Sequence, residues 1–484
     1  MNILKKLSFS TAGFLILSGV MPLRNASAFI SNNGNGYTVT QDLPSTGDYS
    51  YLSNRLKNEF HFTQNQINLT IAIAKADAKT FEFEYFSDKF KPLPTPEQAA
   101  YAATFNQINA DLGDGFLPIA ESQKNFQTFL NQLSPGLYTA LPTILFNSAN
   151  VQNTEIQQRL WATRTGTEIE DNSSVINGQG DGDKNVVQGD KKVVVPAAEP
   201  EQKWTTFVDG NGMWSQAQSV NNLPSYNTYA GGIQAGASYE LFQGLNVGPY
   251  VGYQGTKVNF TGANGGGSSA TDNSVRFGLF GEFTKGGWYT DGIVGGAYNS
   301  VAVNHGISLS GFSKSFDSTA NGTVSGGEFD SLLGTGYDFK AGKFTFGPTT
   351  SLQYTYLHLG GTQETGAGIL DQNIGSQNAS SLLYTLGGQA HYDVSLTQSV
   401  KLQPFLSLAW QHEFLQNGYN VTSSILGESY NYGTTNPGRD QYIAGIGGNL
   451  VLTKNLSAYA VCNLINGDNK VFSQAVSGGI NLKF

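Results

Sequence analysis

The sequence predicts an all-β transmembrane antiparallel β-barrel of about twelve strands, preceded by a short, mainly helical N-terminal region and a signal peptide. Three observations predict it. From Trp204 onward, apolar and small or polar residues alternate in run after run. Tight turns alternate with long connections along the same stretch. The chain ends on SGGINLKF, Ser477 to Phe484, where Ile480, Leu482 and Phe484 alternate with Asn481 and Lys483 instead of trailing off in polar residues.

Composition narrows the class. The 484 residues include 59 Gly and 12% aromatics, with only 13% charged. That charged share is about half the usual value for a soluble chain. A mean hydropathy of −0.24 excludes a helical membrane protein. The net charge of −9 argues against a nucleic-acid-binding face, which needs a basic surface. A secreted soluble β-protein fits the composition equally well, so the strands must decide. The single cysteine, Cys462, forms neither an intramolecular disulfide nor a cysteine metal cluster.

Residues 1–28 read as a secretory signal peptide. Lys5 and Lys6 precede an apolar stretch from Leu7 to Val20, and Ala26-Ser27-Ala28 forms an A-x-A cleavage site, so the mature chain starts near Phe29. The apolar stretch is too short to span a bilayer, and Ser8, Ser10 and Thr11 interrupt it.

Residues 29–164 form the next unit. Its first part, to about residue 60, is polar and Asn/Gly-rich and reads as irregular chain. From Phe62 the period turns helical. Thr95-Pro96-Glu97-Gln98 is a helix start with an N-cap, a first-turn proline and a capping box. A second helix covers Asn153 to Thr163, and the prolines of LSPGLYTALPTIL, Leu133 to Leu145, break that stretch into short pieces. Residues 165–203 are a polar linker. Asp181 and Asp183 within it lack any calcium-loop spacing.

The barrel unit is 204–484. Strands begin near Trp204, Asn227, Leu245, Asn273, Gly287, Gly326, Lys343, Ser380, Lys401, Arg439, Asn455 and Asn469. Most runs exceed the roughly 9–11 residues that cross the apolar layer at a tilt. Tyr229, Ile233, Ala237, Tyr239 and Leu241 face one way, and Thr228, Gln234, Ser238 and Glu240 the other. Trp204, Trp214, Trp288 and Trp410 lie near strand ends, as interfacial girdles require. Short turns fall at Gln243-Gly244, Lys285-Gly286, Lys340–Gly342, Thr397–Val400 and Thr453-Lys454. Long loops fall at Thr261–Asp272, Val303–Ser325, Gly360–Gln377 and Gln416–Gly438. In lipid every backbone group must be paired, so the last strand must close onto the first. Val476, Ile480, Leu482 and Phe484 then face lipid, with Asn481 and Lys483 toward the lumen.

The terminal strand VFSQAVSGGINLKF resembles that of bacterial autotransporters (type V secretion). SLQYTYLHLGG (351–361), LAWQHEF (408–414) and GRDQYIAGIGGNL (438–450) are also similar to that family, as are the upstream FTQNQINLTIAIAKAD (62–77) and LSPGLYTALPTILFNSANVQNTEIQQRL (133–160). The resemblance implies a barrel threaded by a helix or linker, here expected between about Val151 and Lys203. It also implies transport of an N-terminal passenger to the cell surface without nucleotide hydrolysis. It implies dealings with the secretory translocon, and a C-terminal signal for the barrel-insertion machinery at Val476, Ile480, Leu482 and Phe484. The chain departs from the family in offering a short, helical passenger. It also lacks an adjacent Asn-Asn pair in the pre-barrel helix, Asn32-Asn33 and Asn221-Asn222 lying elsewhere; some members cleave themselves at such a pair inside the barrel. An uncleaved passenger is the expectation.

The alternatives are a barrel enzyme of protease or lipase type and a simple diffusion porin. His412-Glu413 is not completed to H-E-x-x-H, because position 416 is Gln. Gly306–Gly311 matches G-x-S-x-G only with one residue ignored. His391 and Asp393 share a lumen face near a short turn, where a structural role outweighs catalysis. No phosphate cradle is present. The reading is therefore a non-enzymatic outer-membrane protein without cofactor or metal.

Overall fold

The computed structural model describes residues 29–32, 37–40, 50–58, 61–72, 127–166, 203–220, 223–262, 265–309, 316–415, 418–434, 438–468 and 470–484. The expected cleavage site at Ala26 and Ala28, the helix start at Thr95–Gln98 and the Asp181/Asp183 pair lie outside them.

Twelve strands form the barrel: β1 Trp204–Ala217, β2 Ser225–Phe242, β3 Leu245–Thr261, β4 Ser269–Lys285, β5 Trp288–Leu309, β6 Phe316–Tyr337, β7 Phe344–Leu359, β8 Gln377–Tyr392, β9 Lys401–Glu413, β10 Asp440–Thr453, β11 Leu456–Gly467 and β12 Val471–Lys483. Each pairs antiparallel with the next. β12 returns to β1 in an unbroken register from Val471↔Ala217 to Lys483↔Thr205. The terminal residue completes the seam. Phe484 N–H donates to the Trp204 carbonyl at 2.9 Å, and Trp204 N–H donates to the Phe484 carbonyl at 3.0 Å. No strand edge in the barrel is left for lipid to meet. The inner turns are tight because Gly244, Gly286 and Gly342 take positive φ, which a side chain would oppose.

Side-chain direction follows the alternation. Val476, Ile480, Leu482 and Phe484 all point outward, about half exposed, while Asn481 is buried in the lumen. Outward aromatics form two bands. Trp204, Trp288, Tyr337, Phe344 and Tyr392 mark the short-turn end; Tyr229, Tyr253, Tyr298 and Tyr442 mark the other. Trp204 and Trp214 bracket β1, and that length of tilted strand covers about 25 Å, the height of an outer-membrane apolar band.

Two expectations need correction. β5 and β6 run on as a hairpin to Leu309↔Phe316, well into the long loop expected at Val303–Ser325. Inward Val301, Val303, Ile307, Ala320 and Val324 are buried there, while outward Ala302, Asn304 and Thr323 are exposed. The strands continue above the membrane with the apolar face turned inward. In addition, LSPGLYTALPTIL breaks only at Ser134-Pro135, where a helix over 127–133 ends, and not at Pro142: one 31-residue helix, Gly136–Gly166, runs through Pro142 and past the expected start at Asn153. Pro142 has no N–H to offer the Tyr138 carbonyl four residues back. Gln377 of β8 donates to that carbonyl instead, Nε2 to O at 3.4 Å.

Smaller elements complete the fold. Phe29–Asn32 pairs with Tyr37–Thr40, and Ser50–Asn58 is helical, where the sequence reads as irregular chain. β-Branched Ile30 and Val39 are register partners in that hairpin. Residues 64–72 are helical and start on a capping box: Thr63 N–H donates to Gln66 Oε1 at 2.8 Å, and Gln66 N–H donates to Thr63 Oγ1 at 3.3 Å. On the long-loop side, Thr362–Gln363, Asn373–Ile374, Asn420–Ile425 and Glu428–Gly433 make a four-stranded sheet outside the barrel.

Candidate functional site in the barrel lumen

The long helix sits inside the barrel. Thirty-one residues at 1.5 Å per residue give about 46 Å, more than the apolar band, so the helix fills the lumen and projects beyond it. Its N-terminal end lies at the long-loop end of the barrel and its C-terminal end at the short-turn end, as its contacts show.

The outer half is an apolar core. Every residue from Gly136 to Leu145 is buried. Leu137, Leu141, Ile144, Leu145 and Phe146 pack with Val258, Phe260, Val301, Val303, Val324, Leu357 and Leu359 of the wall. A helix apolar on all sides is stable only when enclosed. Above it, a buried polar knot ties four parts of the chain. Glu364, in the β7–β8 connection, accepts from Tyr138 Oη at 2.9 Å and meets Nδ1 of His305 at 2.9 Å. His305 Nε2 meets the Gln132 carbonyl. Gln372 donates through Nε2 to the Leu133 carbonyl and accepts from Tyr430 Oη at 2.6 Å. Burial pushes the Tyr430 phenol above its ordinary range, keeping it a neutral donor.

Residues 61–72 close the outer sheet. Asn65 Nδ2 donates to the Gly433 carbonyl at 2.7 Å, and its Oδ1 accepts from Gly433 N–H at 3.0 Å. Asn68 Nδ2 reaches the Asn431 carbonyl at 2.9 Å. These amides satisfy the free backbone of an edge strand as a neighbouring strand would.

The inner half is polar and charged. Gln234 Nε2 donates to the Gln152 carbonyl at 3.2 Å and to Glu155 Oε2, which also accepts from Asn211 Nδ2 at 2.8 Å. Asn153 Nδ2 donates to Asp330 Oδ2 at 3.0 Å. Arg276 of β4 pairs with Asp330 and Glu328 of β6, every member buried. Arg159 sits over the corner where the Phe207 and Phe280 rings meet edge to face, its Cζ 3.8 and 4.3 Å from their centroids, with Nε 3.6 Å from Asp209 Oδ2. Arg164 lies over Tyr289, Cζ to centroid 3.6 Å, and pairs with Glu282 and, at 3.2 Å, with Asp338. Asn449 Nδ2 takes the Ala162 carbonyl at 2.9 Å and Gln403 Nε2 the Thr165 carbonyl at 3.0 Å, closing the helix end.

The sequence reading finds the crossing segment but starts it late. The helix in the lumen begins at Gly136, not near Val151, and residues 167–202 lie outside the described ones. His391 packs edge-on against Trp161, centroids 5.7 Å apart, while Asp393 accepts from Gln403 Nε2 at 2.8 Å. His412 meets Asp440 on the outward face at 2.8 Å; Glu413 points inward and accepts from the Leu382 N–H at 2.9 Å. Gly306 to Leu309 form part of β5. The arginine partners Asp209, Glu282, Glu328 and Asp330 were not singled out from sequence. One signal marks them: a charge at an inward position of a strand whose outward neighbours are apolar, such as Arg276 between Val275 and Phe277.

Comparison with known proteins agrees with this geometry. Residues 206–462 match the autotransporter beta-domain. The Escherichia coli K12 protein YaiT is 27% identical over 195 residues, 38% of this chain, and the match spans only 19% of that protein's length. Among solved structures, the translocator domain of autotransporter NalP from Neisseria meningitidis aligns with a TM-score of 0.47 at 12% identity, covering 58% of this chain and 89% of that one. The beta domain of the Bordetella autotransporter Brka aligns with a TM-score of 0.44 at 16% identity, covering 58% and 100%. The beta-domain match takes in more than half of the sequence, and with the closed barrel it makes this chain a member of the autotransporter family, anchored in the outer membrane.

Proposed function

We propose that the barrel carries its own N-terminal segment across the outer membrane and keeps it there, folded against the outer mouth and uncleaved. One observation carries this reading. The described N-terminal pieces, 61–72 and 127–135, pack at the long-loop end, and the helix that follows them runs inward through the lumen. In outer-membrane barrels the long loops face outside. The chain therefore exits before it re-enters, and the outer half of the helix belongs to a surface head with an apolar core. In the helix, Asn147, Asn150 and Asn153 are followed by Ser148, Val151 and Thr154, which supports an intact chain.

The secretory translocon and the barrel-insertion machinery are the partners in this reading, with Val476, Ile480, Leu482 and Phe484 as the insertion signal. The residues weighed for catalysis have structural partners: His391 packs against Trp161, Asp393 accepts from Gln403, and His412 is held by Asp440. The helix in the lumen also weighs against a diffusion porin. The test is an epitope placed just after Phe29, probed on intact cells with antibody and external protease, alongside the size of the chain in purified outer membranes. Display predicts a reachable tag on a full-length mature chain. A tag reached only after permeabilisation, or a band shortened to barrel size, overturns it.

A further inference from the structure

A groove of about 610 Å³ opens on the lipid-facing side of β8–β12, away from the lumen and its helix. Sites that hold a small ligand span about 300–1,000 Å³. Strand register sets the relief of this one. Leu386, Trp410, Tyr442, Asn466 and Phe472 are successive cross-strand partners in one row. In the next row toward the short-turn end, Gly388 partners Leu408, and Ala444 stands between Leu408 and Leu464. Gly388 and Ala444 form a low floor, and the long side chains beside them form the walls.

The membrane determines what fills the groove. Leu408 and Tyr442 are 61% and 62% exposed, on the face that the bilayer covers. Tyr442 is the third residue of β10 and Phe472 the second of β12, both counted from the outer end, so the groove lies in the outer leaflet. No water reaches an apolar dip at that depth, so an acyl chain fills it.

The polar groups at its upper edge point to the rest of the molecule. Two other outward amides are bonded within the protein: Asn273 Oδ1 accepts from Tyr253 Oη at 2.6 Å, and Asn378 Oδ1 from Tyr356 Oη at 3.0 Å. Asn466, exposed between Tyr442 and Phe472, has no side-chain hydrogen bond among the described residues. An amide at the boundary of acyl chain and headgroup needs a polar partner there, and the carbonyls that link acyl chains to their headgroups lie at that boundary. The rim above is open. The β11–β12 connection, between Gly467 and Val471, is the shortest on the outer side, and Asp468 and Lys470 are exposed on it.

We propose that this groove binds the glycolipid of the outer leaflet, a molecule of the lipid A class. One acyl chain lies over Gly388 and Ala444, its linking carbonyl accepts from Asn466 Nδ2, and the sugar headgroup rests beside Asp468 and Lys470. Bound there, the lipid braces the closing strand β12 against β8–β11 from outside. This needs only the outer-membrane position of the barrel and is independent of the route taken by the N-terminal segment.

The test is lipid retention by the full chain, extracted from outer membranes in mild detergent, incubated with equal amounts of lipid A and phosphatidylethanolamine, and examined by native mass spectrometry. Lipid A should stay bound through detergent exchange, and phosphatidylethanolamine should not. Ala444→Trp fills the groove and should lower retention about tenfold. Asn466→Leu removes the donor and should lower it about threefold to tenfold. Ile446→Trp, equally outward but outside the groove, should leave it unchanged. Heat-modified gel mobility reports whether each barrel is folded. Should Ala444→Trp not fold, Asn466→Leu decides, because it only adds apolar surface at a lipid-facing position. Unchanged retention in a folded groove variant, an equal loss in Ile446→Trp, equal retention of both lipids, or a second copy of the chain bound in place of lipid overturns the proposal.

Discussion

Around Leu137 to Phe146 the wall presents Val258, Val303, Val324 and Leu357; around Asn153 to Arg164 it presents Gln234, Arg276, Asp330 and Glu282. One helix is thus held by opposite physics at its two ends. In the membrane the outside of the barrel is apolar, so the inside is free to be polar. Above the membrane the outside is wet, so the inside must supply the core. The strands keep their alternation and only its meaning inverts. The energetics differ in kind. Each apolar side chain enclosed in the outer half contributes about 1.5–3 kcal/mol. The buried ion pairs of the inner half roughly break even against their desolvation. The outer half supplies stability, and the inner half supplies register.

The largest effect is expected from putting the wrong physics into the outer half. Leu141→Asp buries an unpaired carboxylate in the apolar core at a cost of about 4 kcal/mol or more. Residues 127–150 should become cleavable on intact cells while the barrel still migrates as folded. If they stay resistant, the inner half holds the helix alone and the division of labour is wrong. Next comes Arg276→Met. It strands Asp330 and Glu328 and should cost about 3–5 kcal/mol, read as a lower temperature for loss of the folded barrel on gels. Adding Asp330→Asn and Glu328→Gln should return much of that loss. If it does not, the pairing itself is stabilising, and the inner half does more than set register.

The membrane part of this fold was open to sequence reading, because lipid enforces one rule on every strand. All twelve strands were found, and Ile233, Leu386 and Ile480 point where the alternation places them. The upper part of β5 and β6 was missed for the same reason. Val301, Val303 and Ile307 obey the period, but with Asn304 and Ser308 facing water they read as loop. The site was harder still. Arg276 and Asp330 belong to β4 and β6, with β5 between them, and Arg159 meets Phe207 only once the barrel has closed around the helix. No local pattern carries such pairings. Pro142 misled in a third way, because the residue that repairs its missing bond, Gln377, is supplied by a distant strand.

That repair gives the smallest and most specific prediction. Pro142 leaves the Tyr138 carbonyl to Gln377 Nε2, and Gln377 Oε1 has no hydrogen-bond partner, so Gln377→Met removes one weak bond and little else. It should cost about 1 kcal/mol with Pro142 in place, because the buried carbonyl is then unpaired. Pro142→Ala restores a helical N–H to that carbonyl, and in this background Gln377→Met should cost almost nothing. The double-mutant cycle should therefore show a coupling of about 0.5–1.5 kcal/mol in the thermal stability of the folded barrel. Strictly additive effects would mean that the wall does not repair the helix, and that the outer half relies on apolar packing alone to carry the chain through its proline.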